Sequence, residues 1–365
     1  MEMFLTFGTI QTVLGSISPE NLGTTITHEH LLFDQSPFLS VPEDPLEKNI
    51  FYQPVDQKNL GLIRHHYFAN IDNARLTDID AAISEVMLYK QFGGDSIVDV
   101  TSIGLGRDPV GLAKISQITG VNVVMGSSYY QKLVHPECMD QKSEDEITQE
   151  IVKDINVGVD GTEIKSGLIG EVGCGWPISE NELKVVKGSA KAQAITGAPL
   201  LIHPGRDDCA PIQIVEELQN VDCDLKNTTI GHVERTIFEK NRLLELASTG
   251  CFINWDLFGT EDSYYGPYKV KYMPNDSTRL DQIEWIVSQG FEDSVLVAQD
   301  VANKSRLISY GGHGIFYLLS TIIPQMEERG FSQSLIKKIF IDNPKKFLTF
   351  KETRSTNKYK AENYV

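Results

Sequence analysis

The chain has 365 residues, of which 41% are hydrophobic and 23% charged, a composition that supports a large globular core and excludes wholesale disorder. With 50 Asp and Glu against 33 Lys and Arg, the formal net charge is −17; such a surface repels phosphate backbones and anionic headgroups, so nucleic-acid and membrane partners are not expected. The opening MEMFLTFGTI lacks the basic and long apolar regions of a secretory signal, no apolar run reaches the ~18 residues of a membrane span, and the five scattered cysteines (Cys138, Cys174, Cys209, Cys223, Cys251) contain no CxxC pair, so a cytoplasmic location is expected.

Residues 1–23 are expected to form an N-terminal strand or hairpin segment. The first of eight β-branched runs is TTITHEH at 24–30, followed by SIVDVT at 96–101 and VNVVMG at 121–126. GLIGEVG at 167–173, PLLIHP at 199–204 and TTIGH at 228–232 come next, then CFINWD at 251–256 and SVLVAQD at 294–300. Amphipathic segments at 78–92, 144–157, 180–196 and 279–289 lie between them. Repeated strand–helix units imply parallel pairing, and eight of them predict a closed (β/α)₈ TIM barrel over residues 1–350. An open doubly wound sheet would carry a Gly-rich phosphate turn after its first strand, and none is present. The interval 32–78 is too long for a simple βα loop and is expected to cover one mouth of the barrel. The polar, lysine-rich end at 351–365 is expected to be a frayed tail.

Several of these runs end in residues that bind metals. His28 and His30 are two apart on a strand, so both imidazoles share a face. His203 and His232 follow the apolar runs LLI and TTIG, and Asp300 follows VLVAQ, where the bland alternative is a helix cap. Glu171 lies inside an apolar strand, where a carboxylate requires a cation or strong donors. Four imidazoles and two carboxylates at the ends of separate strands form a mixed N/O set suited to two divalent ions, zinc foremost and manganese or cobalt as alternatives. His65, His66 and His135 read as surface residues, and His313, within YGGHG, as a loop-organising hydrogen-bonder.

The segments THEH at 27–30, GEVG at 170–173, IHPGR at 202–206, GHVER at 231–235 and QDVANKSRLISYGGHG at 299–314 resemble the phosphotriesterase family of the amidohydrolase superfamily. The likeness runs from IQTVLGSISPENLG at 10–23 to DNPKKFLTF at 342–350. GCGWPISENE, DLFGTE and NPKKFLTFK are most similar to the family's animal branch, the phosphotriesterase-related proteins. The resemblance implies a distorted barrel with a binuclear metal centre at its C-terminal mouth. His28, His30 and Asp300 would hold the buried metal, His203 and His232 the exposed one, and Glu171 would bridge them where several relatives use a carboxylated lysine. Lys165 lies too early to substitute. Gln299 stands where the family often has His, which puts a proton-relay role for that position in doubt.

Two ions about 3.5–4 Å apart share a hydroxide and lower its pKa toward neutrality. Asp300 would take its proton and pass it to the leaving group. The branch resemblance implies cleavage of small N-acyl compounds such as N-acetyltaurine and N-acetyl amino acids. Their anionic tails need a cation, for which Arg206 and Arg235 are the first candidates and Lys304 and Arg306 further ones; Tyr129 and Trp176 would wall the acyl pocket. The same chemistry serves phosphotriesters and lactones, and a non-catalytic metal-binding scaffold is the reading of another class. A homo-oligomer is compatible with all three.

Overall fold

In the computed structural model, which describes residues 7–221, 223–261 and 272–353, the chain begins with an antiparallel hairpin of β1 (Ile10–Thr12) and β2 (Gly15–Ile17). The start of the expected N-terminal segment and residues 354–365 of the expected tail lie outside the described residues. After β3 (Thr25–Glu29), the two-residue strands β4 (Phe33–Asp34) and β5 (Arg75–Leu76) pair across a long excursion. Then come β6 (Ser96–Asp99), β7 (Asn122–Ser127), β8 (Leu168–Gly173), β9 (Leu200–His203), β10 (Thr228–Ile230), β11 (Phe252–Trp255) and β12 (Val295–Val297). All eight predicted strands are present. They form one parallel sheet in the order β3-β6-β7-β8-β9-β10-β11-β12.

The sheet curls until β12 stands beside β3, an almost closed TIM barrel with a seam. Individual bonds cross that seam in place of a strand ladder: Thr27 Oγ1 donates to the Val297 carbonyl at 3.1 Å, and the Asp300 amide donates to the His28 carbonyl at 3.1 Å.

Alternation along the strands divides the core. Val98, Val124, Leu168, Leu201, Phe252 and Leu296 face inward and pack with Ile10 and Leu22 from the N-terminal segment and Phe347 and Leu348 from the last described helix, Asn343–Leu348. Their neighbours Ile97, Val123, Ile169, Leu200, Ile253 and Val295 face outward against helix residues such as Val86, Ile115, Ile151 and Val185. Burying each such side chain contributes about 1.5–3 kcal/mol.

The helices have local reasons for their bounds. Glu144–Asn156 and Glu180–Thr196 each begin with a reciprocal capping box, Ser143 with Glu146 and Ser179 with Glu182, a cap being worth about 1 kcal/mol. The second ends at Gly197 with φ +71°, a conformation that suits a residue without a Cβ. Among the described residues, no helix is long and apolar enough to cross a membrane.

The excursion between β4 and β5 carries helices Pro45–Tyr52 and Leu60–His65. It is tied to the loop after β12: Lys304 Nζ lies 2.6 Å from Asp72 Oδ1, Ser305 N donates to Asn73 Oδ1 at 2.9 Å, and Gln35 Nε2 donates to the Ala302 carbonyl at 2.9 Å. Arg64, on the second helix, donates to the Gly311 carbonyl.

Candidate metal centre

Irregular backbone at the ends of the barrel strands brings together His28, His30, Glu171, His203, His232 and Asp300. Strand β3 slips register against β6 between Ile26 and Glu29, at the segment that carries the two histidines. Strand β8 slips against β9 between Ile169 and Val172. Gly170, at φ +136°, sits within the slip, so Leu168 faces in, Ile169 faces out, Glu171 reaches the centre and Val172 again faces out. His232 and Asp300 both adopt left-handed backbone, φ +53° and +50°, which few non-glycine residues do and which clusters at functional sites.

Glu171 is the hub. Its Oε2 accepts from His203 Nδ1 at 2.8 Å and lies 3.5 Å from His28 Nε2 and 3.6 Å from His232 Nε2; its Oε1 lies 3.3 Å from His30 Nε2. Asp300 Oδ1 is 3.2 Å from His30 Nε2 and 3.8 Å from His28 Nε2. Two triads whose donor atoms lie within 4.8 Å of one another, His28/His30/Glu171 and Glu171/His203/His232, share that glutamate, and a third, His28/His232/Asp300, links them. Burial disfavours charge on every member, yet Asp300 and Glu171 hold the His30 imidazole up to about 9. Burial likewise pushes the Glu171 carboxyl up, but His203, His232 and His28 outweigh it and leave it well below the usual carboxylate range.

This donor set fits divalent metal. His28 Nε2 is fully buried, aims into the centre and has no hydrogen-bond partner, an orphaned atom that a cation would satisfy. His203 Nδ1 and His232 Nε2 face each other at 2.8 Å. Imidazole nitrogen and carboxylate oxygen together are what zinc, manganese and cobalt take from proteins.

Behind the cluster stand two carboxylates that sequence reasoning missed. Asp256, just past β11, has Oδ2 3.0 Å from His28 Nδ1 and accepts from His232 Nδ1 at 2.7 Å and from the His232 amide at 2.9 Å. It ends the apolar run CFINW as Asp300 ends VLVAQ, so the signal was present in the sequence. Glu29, between the two histidines, is fully buried and accepts from the Gln299 and Val301 amides; nothing local distinguishes it from a solvent-facing residue on the far side of the strand.

The cluster floors a cavity of about 600 Å³. Arg206 and Arg235 both line it, with Phe33, Leu257 and Met273 as apolar wall. Arg235 is buried and donates to the Pro204 carbonyl at 3.2 Å, with the same nitrogen 3.2 Å from His203 Nε2. Arg306 lines the cavity too, but its guanidinium donates to the Asp300 and Phe258 carbonyls, both at 2.8 Å. Lys304 is engaged with Asp72.

The expected pocket walls Tyr129 and Trp176 need correction, because neither lines the cavity. Tyr129 points outward, its hydroxyl on Glu150 of helix Glu144–Asn156, and its neighbour Tyr130 faces in, with Oη 3.2 Å from His203 Nδ1. Trp176 is 41% exposed. His65 and His313 line the cavity, His65 and His66 are both exposed as expected, and His135 Nε2 lies 2.7 Å from the Tyr130 carbonyl. Gln299 turns away from the cavity: its Nε2 donates to the Gly314 carbonyl at 2.9 Å and its Oε1 accepts from the Leu318 amide at 3.4 Å.

Comparison with known proteins places the chain among relatives that span nearly its whole length. The chain is 41% identical over 350 residues to the phosphotriesterase-related protein of Nematostella vectensis, covering 95% of this chain and 100% of that one. It is 40% identical over 347 residues to the N-acetyltaurine hydrolase of Homo sapiens, covering 94% and 99%. A resiniferatoxin-binding protein from Rhodobacter sphaeroides superposes with a TM-score of 0.90 at 34% identity, covering 93% of this chain and 95% of that one. Residues 8–348, from the hairpin to the last described helix, match the phosphotriesterase family as a whole, and the chain belongs to that family.

Proposed function

We propose that the chain is a metal-dependent amidohydrolase that cleaves small N-acyl compounds with a compact anionic tail, of the N-acetyltaurine and N-acetyl amino acid kind. The observation that carries this reading is the shared-glutamate cluster at the floor of an arginine-walled cavity. Identity of about 40% to N-acetyltaurine hydrolases supports the choice of amide over other acyl or phosphoryl bonds.

His28, His30 and Asp300 would hold one divalent ion and His203 and His232 a second, with Glu171 between them; zinc is the first choice, manganese or cobalt the alternatives. Such ions supply an activated water and polarise the scissile carbonyl. Asp300 takes the proton released by the attacking water and returns it to the departing amine. Arg206 holds the sulfonate or carboxylate tail, with Arg235 as the second candidate, and the aliphatic and aromatic wall seats the short acyl group. An anionic tail held away from the reacting carbon orients the amide without competing for the metals.

The test is turnover by zinc-, manganese- and cobalt-loaded protein on N-acetyltaurine, an acyl-homoserine lactone and paraoxon. Preference for N-acetyltaurine is the expected result. A dominant lactone or paraoxon activity would move the assignment to those bonds, and no turnover of any of the three by protein carrying two ions would make the chain a metal-binding scaffold.

A further inference from the structure

The backbone around Asp300 poses a problem that the strand ladder does not solve. Asp300 sits at φ +50° beside a seam where β12 and β3 share no ladder, and three successive amides, those of residues 299, 300 and 301, must be satisfied in a buried setting. All three turn toward one short piece of β3. The Gln299 amide donates to Glu29 Oε1 at 2.7 Å, the Asp300 amide to the His28 carbonyl at 3.1 Å, and the Val301 amide to Glu29 Oε2 at 3.0 Å. From the opposite side, Arg306 Nη1 donates to the Asp300 carbonyl at 2.8 Å.

We propose that Glu29 is the positioning residue for Asp300: its carboxylate replaces the missing ladder across the seam and locks the left-handed turn that aims the Asp300 side chain at His30. Glu29 is fully buried and does not line the cavity, so it acts through Asp300 and not on substrate. Its residue type follows from the task. A carboxylate offers two acceptor oxygens and no donor, and here each oxygen takes one amide; a glutamine would set an NH₂ against one of them. Because Glu29 lies between His28 and His30, one stretch of backbone fixes both imidazoles and, across the seam, the aspartate that stands 3.2 Å from His30 Nε2. The functional meaning of that lock rests on the metal-centre reading above; its existence does not.

The experiment compares Glu29→Gln and Glu29→Asp with Glu85→Gln. Glu85 is an equally buried carboxylate that accepts from the Ile308 and Ile315 amides further along the same loop, so its substitution reports generic loss of a buried acceptor. In metal-free protein, amide hydrogen exchange at 299–301 is expected to accelerate ~10- to 100-fold in Glu29→Gln, the cost of one lost charge-assisted bond, and not in Glu85→Gln. In cobalt-loaded protein, Glu29→Gln is expected to change the visible absorption of the ion and to lower kcat ~10- to 100-fold with KM little altered. Glu29→Asp, which keeps both acceptors on a shorter arm, is expected to recover part of both effects. If Glu29→Gln does not fold, Glu29→Asp is compared with Glu85→Gln at matched Tm by the same exchange measurement. Exchange at 299–301 and kcat that move no more than in Glu85→Gln would overturn the proposal. Cobalt uptake and turnover by the unsubstituted protein test the metal reading separately, and its failure would leave the metal-free exchange result standing or falling by itself.

Discussion

Asp256→Asn is the most demanding test of how the centre is built. The carboxylate is fully buried, lies 3.0 Å from His28 Nδ1 and accepts from His232 Nδ1 at 2.7 Å. By favouring a proton on both Nδ1 atoms, it presents both Nε2 lone pairs to the cluster. An asparagine of the same shape has one acceptor oxygen, so it can serve one imidazole; the other meets an NH₂ and is driven to the tautomer with a proton on Nε2, directed at the position of an ion. Losing one hydrogen bond to a charged group costs about 1.5–3 kcal/mol, which corresponds to the roughly 10- to 100-fold loss of metal affinity seen when such supporting partners are removed. His28 and His232 belong to different triads around Glu171, so the ion on the side of whichever imidazole meets the NH₂ should weaken more than the other. The assay is zinc affinity by competition with a chromogenic chelator, with Tm of the metal-free protein measured alongside to separate folding from binding. Wild-type affinity for both ions in a folded Asp256→Asn protein would refute the tautomer argument.

Three further outcomes are expected. Glu171→Gln removes the charge that both triads share and should strip at least one ion while the barrel remains folded; elemental analysis that still finds two ions per chain would reject the bridging role. Asp300→Asn should lower kcat far more than it raises KM, since its work is proton transfer; an unchanged kcat at full metal occupancy would reject that work. Arg206→Met should cost about ten- to a hundredfold in kcat/KM on N-acetyltaurine, from a lost charge-assisted contact of ~1.5–3 kcal/mol, and little on a neutral N-acetyl amide. Equal losses on both substrates would make Arg206 a support of the fold, and no loss on either would place the anion elsewhere, with Arg235 next to be tested.

The set of elements and most of the polar residues at their ends were legible in the amino-acid order alone. Eight apolar runs alternating with amphipathic segments dictate strands, helices and a barrel, because those periodicities are local properties of the chain. Helix Glu180–Thr196 was legible to the residue, its capping box and terminal glycine being written in order. His28, His30, His203, His232 and Asp300 stood out because each ends or follows an apolar run. Contacts between strands distant in the chain set the rest. Regular alternation from Leu168 would turn Gly170 inward and Glu171 outward; only the slip of β8 against β9 brings the carboxylate to the centre. The same limit explains Tyr129 and Tyr130, adjacent tyrosines of which one must face out, with the choice made by register against neighbouring strands. Glu29 and Asp256 acquire their partners from segments 270 and 24 residues away. A residue's face and its partners across a sheet depend on how other strands are placed, and no local pattern encodes a slip, a seam or a left-handed turn that exists because a second strand holds it.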